Sequence, residues 1–258
     1  MWGNKGSWRS QGWGAAAAAS GGGGAKSAVT TSTGGQYLTT TWANAPTLAT
    51  KVTLSFWQRF VSAPAFNSYW FATAPSGGVI FGHGLSTTSF KWGVRDEAGA
   101  VFDLRCYPGF NPETANWHHV CVSIDTTLAT AANRVKVYCD GSLIADDNLV
   151  YPAQNSNLQV TASGIASYIG IVNFLPANVA ECKFAYYYLI DGQALTPSSF
   201  TTGTGLGSIH PATYAGTYGT NGFFLNFNGG TLADASGSGT APTWTAPNGI
   251  TYSSDVPA

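Results

Sequence analysis

The stretch WHHVCVSID at residues 117–125, followed by RVKVYCDG at residues 134–141, decides the fold of this chain. Each part alternates apolar and polar residues with a period of two, which is typical of half-buried antiparallel strands. The dipeptide Asp140-Gly141 favours a tight turn, so a further strand is expected at residues 143–144. The two parts together predict a β-hairpin.

The hydrophobic pattern of this hairpin also predicts its register. Pairing the two strands about their centre places three pairs of residues opposite one another, namely Ile124 with Val135, Val122 with Val137 and Val120 with Cys139. All six side chains then point to one face, and a slip of one residue would move them all to the other. That other face carries His119, Cys121, Ser123, Lys136 and Tyr138. We expect a second sheet to cover the apolar face.

The composition indicates a neutral protein with a single large β domain. A chain of 258 residues buries roughly 70–75% of the surface of its unfolded form, so neither a metal nor a disulfide is needed for folding. Charged residues make up 9% of the chain, against about 25% in typical proteins. The net charge of -1 gives no reason to expect a nucleic-acid or membrane partner. A neutral surface suits burial against neighbouring proteins.

The sequence predicts synthesis and folding in a cytosol. No stretch reaches the ~18 apolar residues of a membrane span, and residues 1–20 lack a basic-then-apolar signal peptide. The four cysteines have none of the close spacings of a zinc or redox motif, and we expect four buried free thiols, at Cys106, Cys121, Cys139 and Cys182. Cys121 and Cys139 project to opposite faces of the predicted hairpin, which argues against a bridge between them.

Residues 1–35 form a separate zone that is rich in glycine and alanine and has no strand or helix periodicity. It nevertheless holds Trp2, Trp8 and Trp13. Disordered spacers are poor in large aromatic residues, whereas tryptophan is enriched where interfaces are buried. We therefore expect an N-terminal arm that docks on another subunit through these tryptophans, the alternative being an unattached tail.

Residues 36–258 carry many short alternating segments separated by glycine and proline turns. Besides the hairpin, strands are predicted at residues 36–38, 51–60, 68–73, 78–81, 90–95, 101–105, 168–171, 179–190 and 223–227. Thr196 and Pro197 suit the N-cap and first position of a short helix. Short strands at roughly ten-residue spacing, without a long helical pattern, predict an all-β, two-sheet antiparallel sandwich of jelly-roll type with an extended N-terminal arm.

Two early motifs resemble the laminin-G-like, concanavalin A-like jelly-roll families. The first is WHHVxVxxD with VKVYxDG, at residues 117–125 and 135–141, and the second is VTLSFW at residues 52–57. The resemblance implies two apposed antiparallel sheets whose curved face or rim loops often bind saccharides. A fold of this kind does not by itself determine the activity.

Two later segments are similar to a version of this family that is common in virion proteins of tailed bacteriophages. They are VAECKFAYYYLIDGQALTPSSF at residues 179–200 and YAGTYGTNGFFLNF at residues 214–227. The resemblance covers residues 36–258 and leaves residues 1–35 outside it. It implies a protein of the phage particle.

The residue chemistry argues against catalysis. A glycoside hydrolase needs paired carboxylates, and the three glutamates, Glu97, Glu113 and Glu181, do not form the alternating acidic pattern of the glucanases. His118 and His119 point to opposite faces of one strand without a cysteine or carboxylate at ligand spacing, so we expect structural histidines. The chain has no GxSxG elbow for a nucleophilic serine. No catalytic, cofactor-binding or metal-binding residue is predicted.

Two ligands remain open. Calcium on a rim loop would take its oxygen ligands from Asp140, Asp146, Asp147 and Asn148, which are also ordinary turn residues.

A saccharide would stack on exposed aromatic rings, and the candidates are Trp70, Trp92 and Tyr107. These rings are equally suited to the sandwich core or to contacts between subunits.

The expected function is that of a non-enzymatic structural protein on the surface of a tailed-phage virion, assembled in the bacterial cytoplasm. It would be a capsid decoration (cement) or head-fibre protein that docks on capsid or tail subunits through its arm. The alternative is a tail-fibre or receptor-binding module for host surface carbohydrate, and a glycan hydrolase is the weaker alternative. A homo-oligomer is expected, and a trimer would suit threefold sites of a capsid.

Overall fold

The computed structural model describes residues 25–30, 35–61, 68–73, 80–86, 89–95, 101–106, 116–144, 151–171 and 181–258. For residues 68–70, 80–86, 89–95 and 101–106 the description is of the main chain. Trp2, Trp8 and Trp13 lie outside the described residues, so the docking arm stays a prediction.

The described residues form sixteen strands and three short 3-10 helices. The strands are β1 Ser27–Val29, β2 Leu38–Thr41, β3 Lys51–Phe60, β4 Ser68–Thr73, β5 Ile80–Ser86, β6 Ser89–Arg95, β7 Val101–Cys106, β8 His118–Asp125, β9 Val135–Cys139, β10 Ser142–Leu143, β11 Ala166–Ile169, β12 Cys182–Asp191, β13 Thr201–Thr202, β14 His210–Pro211, β15 Phe223–Leu225 and β16 Thr251–Ser253. The 3-10 helices are Ala131–Asn133, Pro197–Ser199 and Asn228–Gly230. Within these ranges, no helix has the length and apolar character needed to cross a membrane.

The strands form two facing antiparallel sheets and one small separate pair. The first sheet has the order β10-β9-β8-β3-β12-β1-β16, with β15 also pairing with β12. The second sheet has the order β2-β11-β4-β5-β6-β7, and β13 pairs with β14. The predicted all-β jelly-roll sandwich is confirmed. β1 lies inside the first sheet, between β12 and β16, although the sequence has no strand pattern there.

The predicted hairpin register is confirmed. Val120 pairs with Cys139, and the other two predicted pairs follow in step along β8 and β9. Asp140 and Gly141 both have positive φ, at 49° and 80°, which is the two-residue turn whose twist matches that of the flanking strands. The turn leads directly into β10.

The core between the sheets is rich in aromatic side chains. Phe56 stacks on Tyr187 with ring centroids 4.9 Å apart, and Phe184 lies edge-on to both rings. At the other side of the core, Trp42 and Trp244 meet at 6.4 Å in an edge-to-face arrangement. All five side chains are at most 4% exposed, so the sandwich interior follows the alternation in the sequence.

A β-bulge in β12 sets which tyrosines enter this core. The register with β3 shifts between Ala185 and Tyr188, and Tyr186 has a φ of 46°. The extra residue lets Phe184 and Tyr187 face the same side although they are three positions apart. Tyr187 is therefore in the main core, whereas Tyr188 is buried on the opposite side of the sheet.

The outer face of the first sheet is buried too, which the expectation of a neutral exterior did not include. His119 and Cys121 are fully buried there, and Ser123 is 8% exposed. The segment after β12 covers this face with apolar side chains, which are Leu195, Phe200, Ile209, Tyr214 and Tyr218. The molecule therefore has a third layer, made of irregular chain rather than of a sheet.

Phe56→Ala should lower the free energy of unfolding by about 3–5 kcal/mol, because it removes a fully buried ring from the stack with Tyr187. Urea unfolding followed by tryptophan fluorescence measures the change. Leu143→Ala is the control, since Leu143 is 55% exposed and its loss should cost less than about 0.5 kcal/mol. Equal effects of the two substitutions would contradict this description of the core.

Candidate binding site

The second sheet places two tyrosines on its outer face. Leu38 and Ile169 are buried in the core, so their neighbours Thr39 and Tyr168, which pair with one another across β2 and β11, face outward. Tyr37 lies next to Tyr168 with ring centroids 6.0 Å apart and planes at 52°. Tyr37, Thr39 and Tyr168 are all half-buried. We call these three residues the Tyr37–Tyr168 surface.

This surface extends across the edge of the sheet. Thr245 pairs with Thr39 as an isolated bridge, with main-chain hydrogen bonds of 2.9 Å in both directions. Directly paired residues share a face, so Tyr168, Thr39 and Thr245 form one row of hydroxyl-bearing side chains. Thr245 is exposed, and the row therefore ends in solvent.

The tyrosine hydroxyl in this row is un-ionised at neutral pH. Partial burial and the neighbouring Tyr37 raise the pKa of Tyr168, and a hydrogen bond with Thr39 opposes them. The Thr39 hydroxyl also donates to the carbonyl of Ser167 at 3.0 Å. The surface thus offers aromatic ring faces together with neutral hydroxyl donors and acceptors.

A polar cleft of about 390 Å³ opens at the end of β2, next to this surface. Thr41, Asn44 and Thr243 are exposed around it. Its floor includes Trp42, which is 1% exposed and donates its indole N–H to Ser167 Oγ at 2.7 Å. The cleft therefore presents hydroxyl and amide groups, while its tryptophan is held in the core.

The prediction that Trp70, Trp92 or Tyr107 stacks on a sugar stays a prediction, because the side chains of these residues are not described. Trp70 belongs to β4 and Trp92 to β6 of the second sheet, described by their main chain, and Tyr107 lies outside the described residues. Sequence reasoning missed Tyr37 and Tyr168. The sequence did contain a signal for them. Tyr37 precedes Leu38 and Tyr168 precedes Ile169, and in a strand the neighbour of a core residue faces outward.

The two histidines have different surroundings, as their opposite faces predicted. His119 Nε2 lies 2.9 Å from Ser55 Oγ, and its ring lies against Trp57. Burial lowers the pKa of His119 to about 3, although the charge of Asp140 opposes the shift. Ser55 is 1% exposed, so this Ser–His contact is out of reach of a substrate. His119 is therefore a neutral buried side chain.

His118 is part of a polar cluster at the end of the hairpin. Its Nδ1 lies 2.8 Å from Asp140 Oδ2, and Cys139 Sγ lies 3.6 Å from the same oxygen. The other carboxylate oxygen accepts the main-chain N–H of His119 at 2.9 Å. Burial and the charge of Asp140 raise the pKa of Cys139 well above its ordinary value.

Sequence spacing did not reveal this cluster, because His118 lies 22 residues before Asp140 along the chain. The signal was present in the predicted register, which sets Val120 opposite Cys139 and so brings the start of β8 to the turn. Of the four calcium ligands that the sequence predicted, Asp140 is described, and its carboxylate contacts His118 and the main-chain N–H of His119. Residues 146–148 lie outside the described residues, and a calcium site there stays a prediction.

The cysteine predictions are tested in part. Cys121, Cys139 and Cys182 are free thiols. Cys121 and Cys182 are buried, whereas Cys139 is half-buried. The side chain of Cys106 is not among those described.

A second cleft, of about 190 Å³, lies at the carboxyl end of the chain and is lined by Trp57, Trp117, Leu206 and Ala258 among others. Asp255 holds this end in place.

The carboxylate of Asp255 accepts hydrogen bonds from Arg59 at 2.9 Å, from Lys183 at 2.6 Å and from the Trp117 indole at 3.0 Å. Although burial acts in the other direction, the hydrogen bonds and positive charges lower the pKa of Asp255. We call the cleft of about 190 Å³ the C-terminal cleft.

The comparison with protein families identifies the class. A laminin-G family model described as "Concanavalin A-like lectin/glucanases superfamily" matches residues 31–189. The match covers more than half of the chain, and the protein belongs to this superfamily. Its sequence matches none of the curated proteins.

Solved structures share the fold at low sequence identity. The native heptameric SAP-like pentraxin from Limulus polyphemus is 14% identical with a TM-score of 0.54, over 89% of this chain and 94% of that one. A putative carbohydrate binding protein from Bacteroides ovatus is 14% identical with a TM-score of 0.61, over 91% of this chain and 61% of that one. At these identities the likeness is one of fold.

His119→Gln should remove an acid sensitivity of the fold. Above pH 6.5 His119 is neutral in both states and contributes no pH dependence. Below that pH the unfolded state gains a proton that the folded state does not bind until about pH 3. As the pH is lowered between these two values, His119 alone should therefore reduce the free energy of unfolding of the wild type by about 1.4 kcal/mol per pH unit.

Urea unfolding at several pH values between neutrality and acid measures this slope. The glutamine variant should show a shallower decline, and His210→Gln, at an exposed histidine, should decline like the wild type. An identical slope for His119→Gln and the wild type would rule out His119 as the source.

Proposed function

We propose that this protein is a non-enzymatic carbohydrate-binding module whose glycan lies on the Tyr37–Tyr168 surface. One observation carries the proposal. Two half-buried tyrosine rings, 6.0 Å apart, face outward from a sheet of a lectin-type fold beside a row of threonine hydroxyls.

The chemistry of this surface suits a neutral sugar. A pyranose has an apolar face, which stacks on an aromatic ring, and a rim of hydroxyls, which exchange hydrogen bonds with neutral donors and acceptors. The adjoining polar cleft has the volume of a small-ligand site. The description of the Bacteroides ovatus protein as a putative carbohydrate binding protein also supports a glycan ligand.

The engagement of the described aspartates supports binding rather than hydrolysis. Each aspartate whose side chain is described holds a hydrogen bond or ion pair with a neighbouring cation or main-chain N–H. These aspartates are Asp125, Asp140, Asp191, Asp234 and Asp255. A glycosidase needs two carboxylates that face each other across a substrate. Release of reducing sugar from a bound glycan would revive the hydrolase alternative.

Tyr168→Ala should weaken glycan binding by about tenfold, because loss of one stacked ring removes roughly 1–1.5 kcal/mol. A glycan array, with and without millimolar calcium, identifies the ligand, and titration calorimetry then measures the affinity of the variant. The matched control is Tyr138→Ala, which removes a half-buried tyrosine from β9 of the first sheet. Unchanged affinity in Tyr168→Ala would refute the Tyr37–Tyr168 surface as the site.

We further propose that the module is displayed on the surface of a tailed-phage virion, as a fibre or decoration protein attached through its N-terminal arm. The resemblance of residues 179–200 and 214–227 to phage virion proteins supports this. The position of β1 also supports it, since Ser27 donates a hydrogen bond to the Asp255 carbonyl at 2.7 Å. Residues 1–24 therefore precede a strand whose first residue contacts Asp255, and the two residues after Val256, Pro257 and Ala258, line the C-terminal cleft.

Removal of residues 1–24 should abolish binding to assembled phage particles and leave glycan binding unchanged, because β1 and the Tyr37–Tyr168 surface remain. Co-sedimentation of the purified protein with particles that lack it measures attachment. Replacement of Trp2, Trp8 and Trp13 by alanine should have the same effect as truncation. Full attachment of the truncated chain would contradict a docking arm.

A further inference from the structure

We propose that His118, Cys139 and Asp140 form a binding site for zinc at the end of the hairpin of β8 and β9. A ring nitrogen of His118, the thiol sulfur of Cys139 and a carboxylate oxygen of Asp140 all lie within 4.8 Å of one another. Imidazole, thiolate and carboxylate are the three ligand types that zinc takes from proteins. This site is separate from the Tyr37–Tyr168 surface and does not depend on a glycan.

Two of the three distances between the ligand atoms can be compared with those of a tetrahedral zinc site. Bonds of about 2.0–2.3 Å at tetrahedral angles separate the ligand atoms by about 3.3–3.7 Å. Cys139 Sγ and Asp140 Oδ2 are 3.6 Å apart, which is within this range. His118 Nδ1 and Asp140 Oδ2 are 2.8 Å apart, so an ion between them requires them to separate by about 0.5 Å.

The main chain holds this cluster in a fixed arrangement. Asp140 has a φ of 49°, a left-handed conformation that aspartate and asparagine adopt more often than most residues with a side chain. Its N–H donates to the His119 carbonyl at 2.9 Å, and its carbonyl accepts the N–H of Gly205 at 2.8 Å. The carboxylate is thereby oriented toward His118 and Cys139 before any ligand is present.

Gln58 gives an independent indication of a ligand. It pairs directly with His118 across β3 and β8, so the two side chains share the inner face of the sheet. Gln58 is fully buried, yet neither its amide oxygen nor its amide nitrogen has a hydrogen-bond partner. Buried amides are almost always satisfied. A water molecule bound to a metal ion beside His118 could exchange hydrogen bonds with this amide, whereas the ion itself could contact only the amide oxygen.

The ligand set favours zinc over calcium. Calcium takes six to eight oxygen ligands, whereas a mixed nitrogen, sulfur and oxygen set is typical of zinc. The ion would join the first residue of β8 to the turn after β9. The side chains of His118 and Asp140 are 9% and 13% exposed, which leaves the cluster at the margin of the core, where an ion can enter.

The test measures zinc uptake by the full-length protein after removal of metals with a chelator. Titration calorimetry with a zinc salt should show one equivalent bound, and elemental analysis after dialysis should find it retained. Cobalt(II) in place of zinc should give a sulfur-to-metal charge-transfer band. Cys139→Ser should abolish this band. It should also lower the zinc affinity by at least about 100-fold, because removing only a hydrogen-bond partner of a ligand already costs up to about 100-fold.

Asp140→Asn is the second variant, because asparagine tolerates the left-handed conformation and so preserves the turn. It should also weaken zinc binding, with an unchanged circular dichroism spectrum. Cys121→Ser and His210→Gln are the matched controls, at a thiol and a histidine outside the cluster, and should bind zinc like the wild type. Absence of a zinc equivalent in the wild type, or equal uptake by Cys139→Ser, would overturn the proposal.

Discussion

Burial of both faces of the sheet formed by β8, β3 and β12 is the constraint on which the rest of this structure depends. One face meets the second sheet through rings such as Phe56 and Tyr187, and the other meets the irregular segment after β12 through Tyr188 and Phe200. A slip of one residue would exchange the two sets, and neither cover would fit the other set. Both faces therefore constrain the register of these three strands. For this reason the single bulge at Tyr186 determines that Tyr187 enters the main core and Tyr188 the opposite face.

The same constraint gives two neighbouring histidines opposite chemistry. His119 faces the irregular cover, where it is desolvated and neutral. His118 faces the other way, at the margin of the core, where the turn after β9 brings Asp140 and Cys139 to it. A difference of one position in a strand thus separates a side chain that burial keeps uncharged from one that has two potential metal ligands within reach.

The proposed binding site lies on a part of the surface that folding leaves partly open. Folding uses both faces of the first sheet, and Asp255 secures the carboxyl end of the chain on it through Arg59 and Lys183. In the part of the chain that the structure describes, the outward row of the second sheet at Tyr168 remains partly open to solvent. A neutral, hydroxyl-bearing aromatic row of this kind makes the contacts that a sugar ring can satisfy, and no charged ligand is needed to explain its composition.

The sequence by itself determined most of the longer strands, the hairpin register and the turn at Asp140, because period-two alternation and turn chemistry are properties of neighbouring residues. It did not indicate the short strands β1, β13, β14 and β16. It placed β3 at Lys51–Phe60 as the structure has it. It also indicated the family through motifs of a few residues. Only the tertiary structure decided that the outer face of the first sheet is covered, that Tyr37 meets Tyr168, and that Cys139 lies beside His118. These contacts join segments far apart along the chain, and their formation depends on how distant elements fill one another's apolar surfaces, which no local pattern encodes.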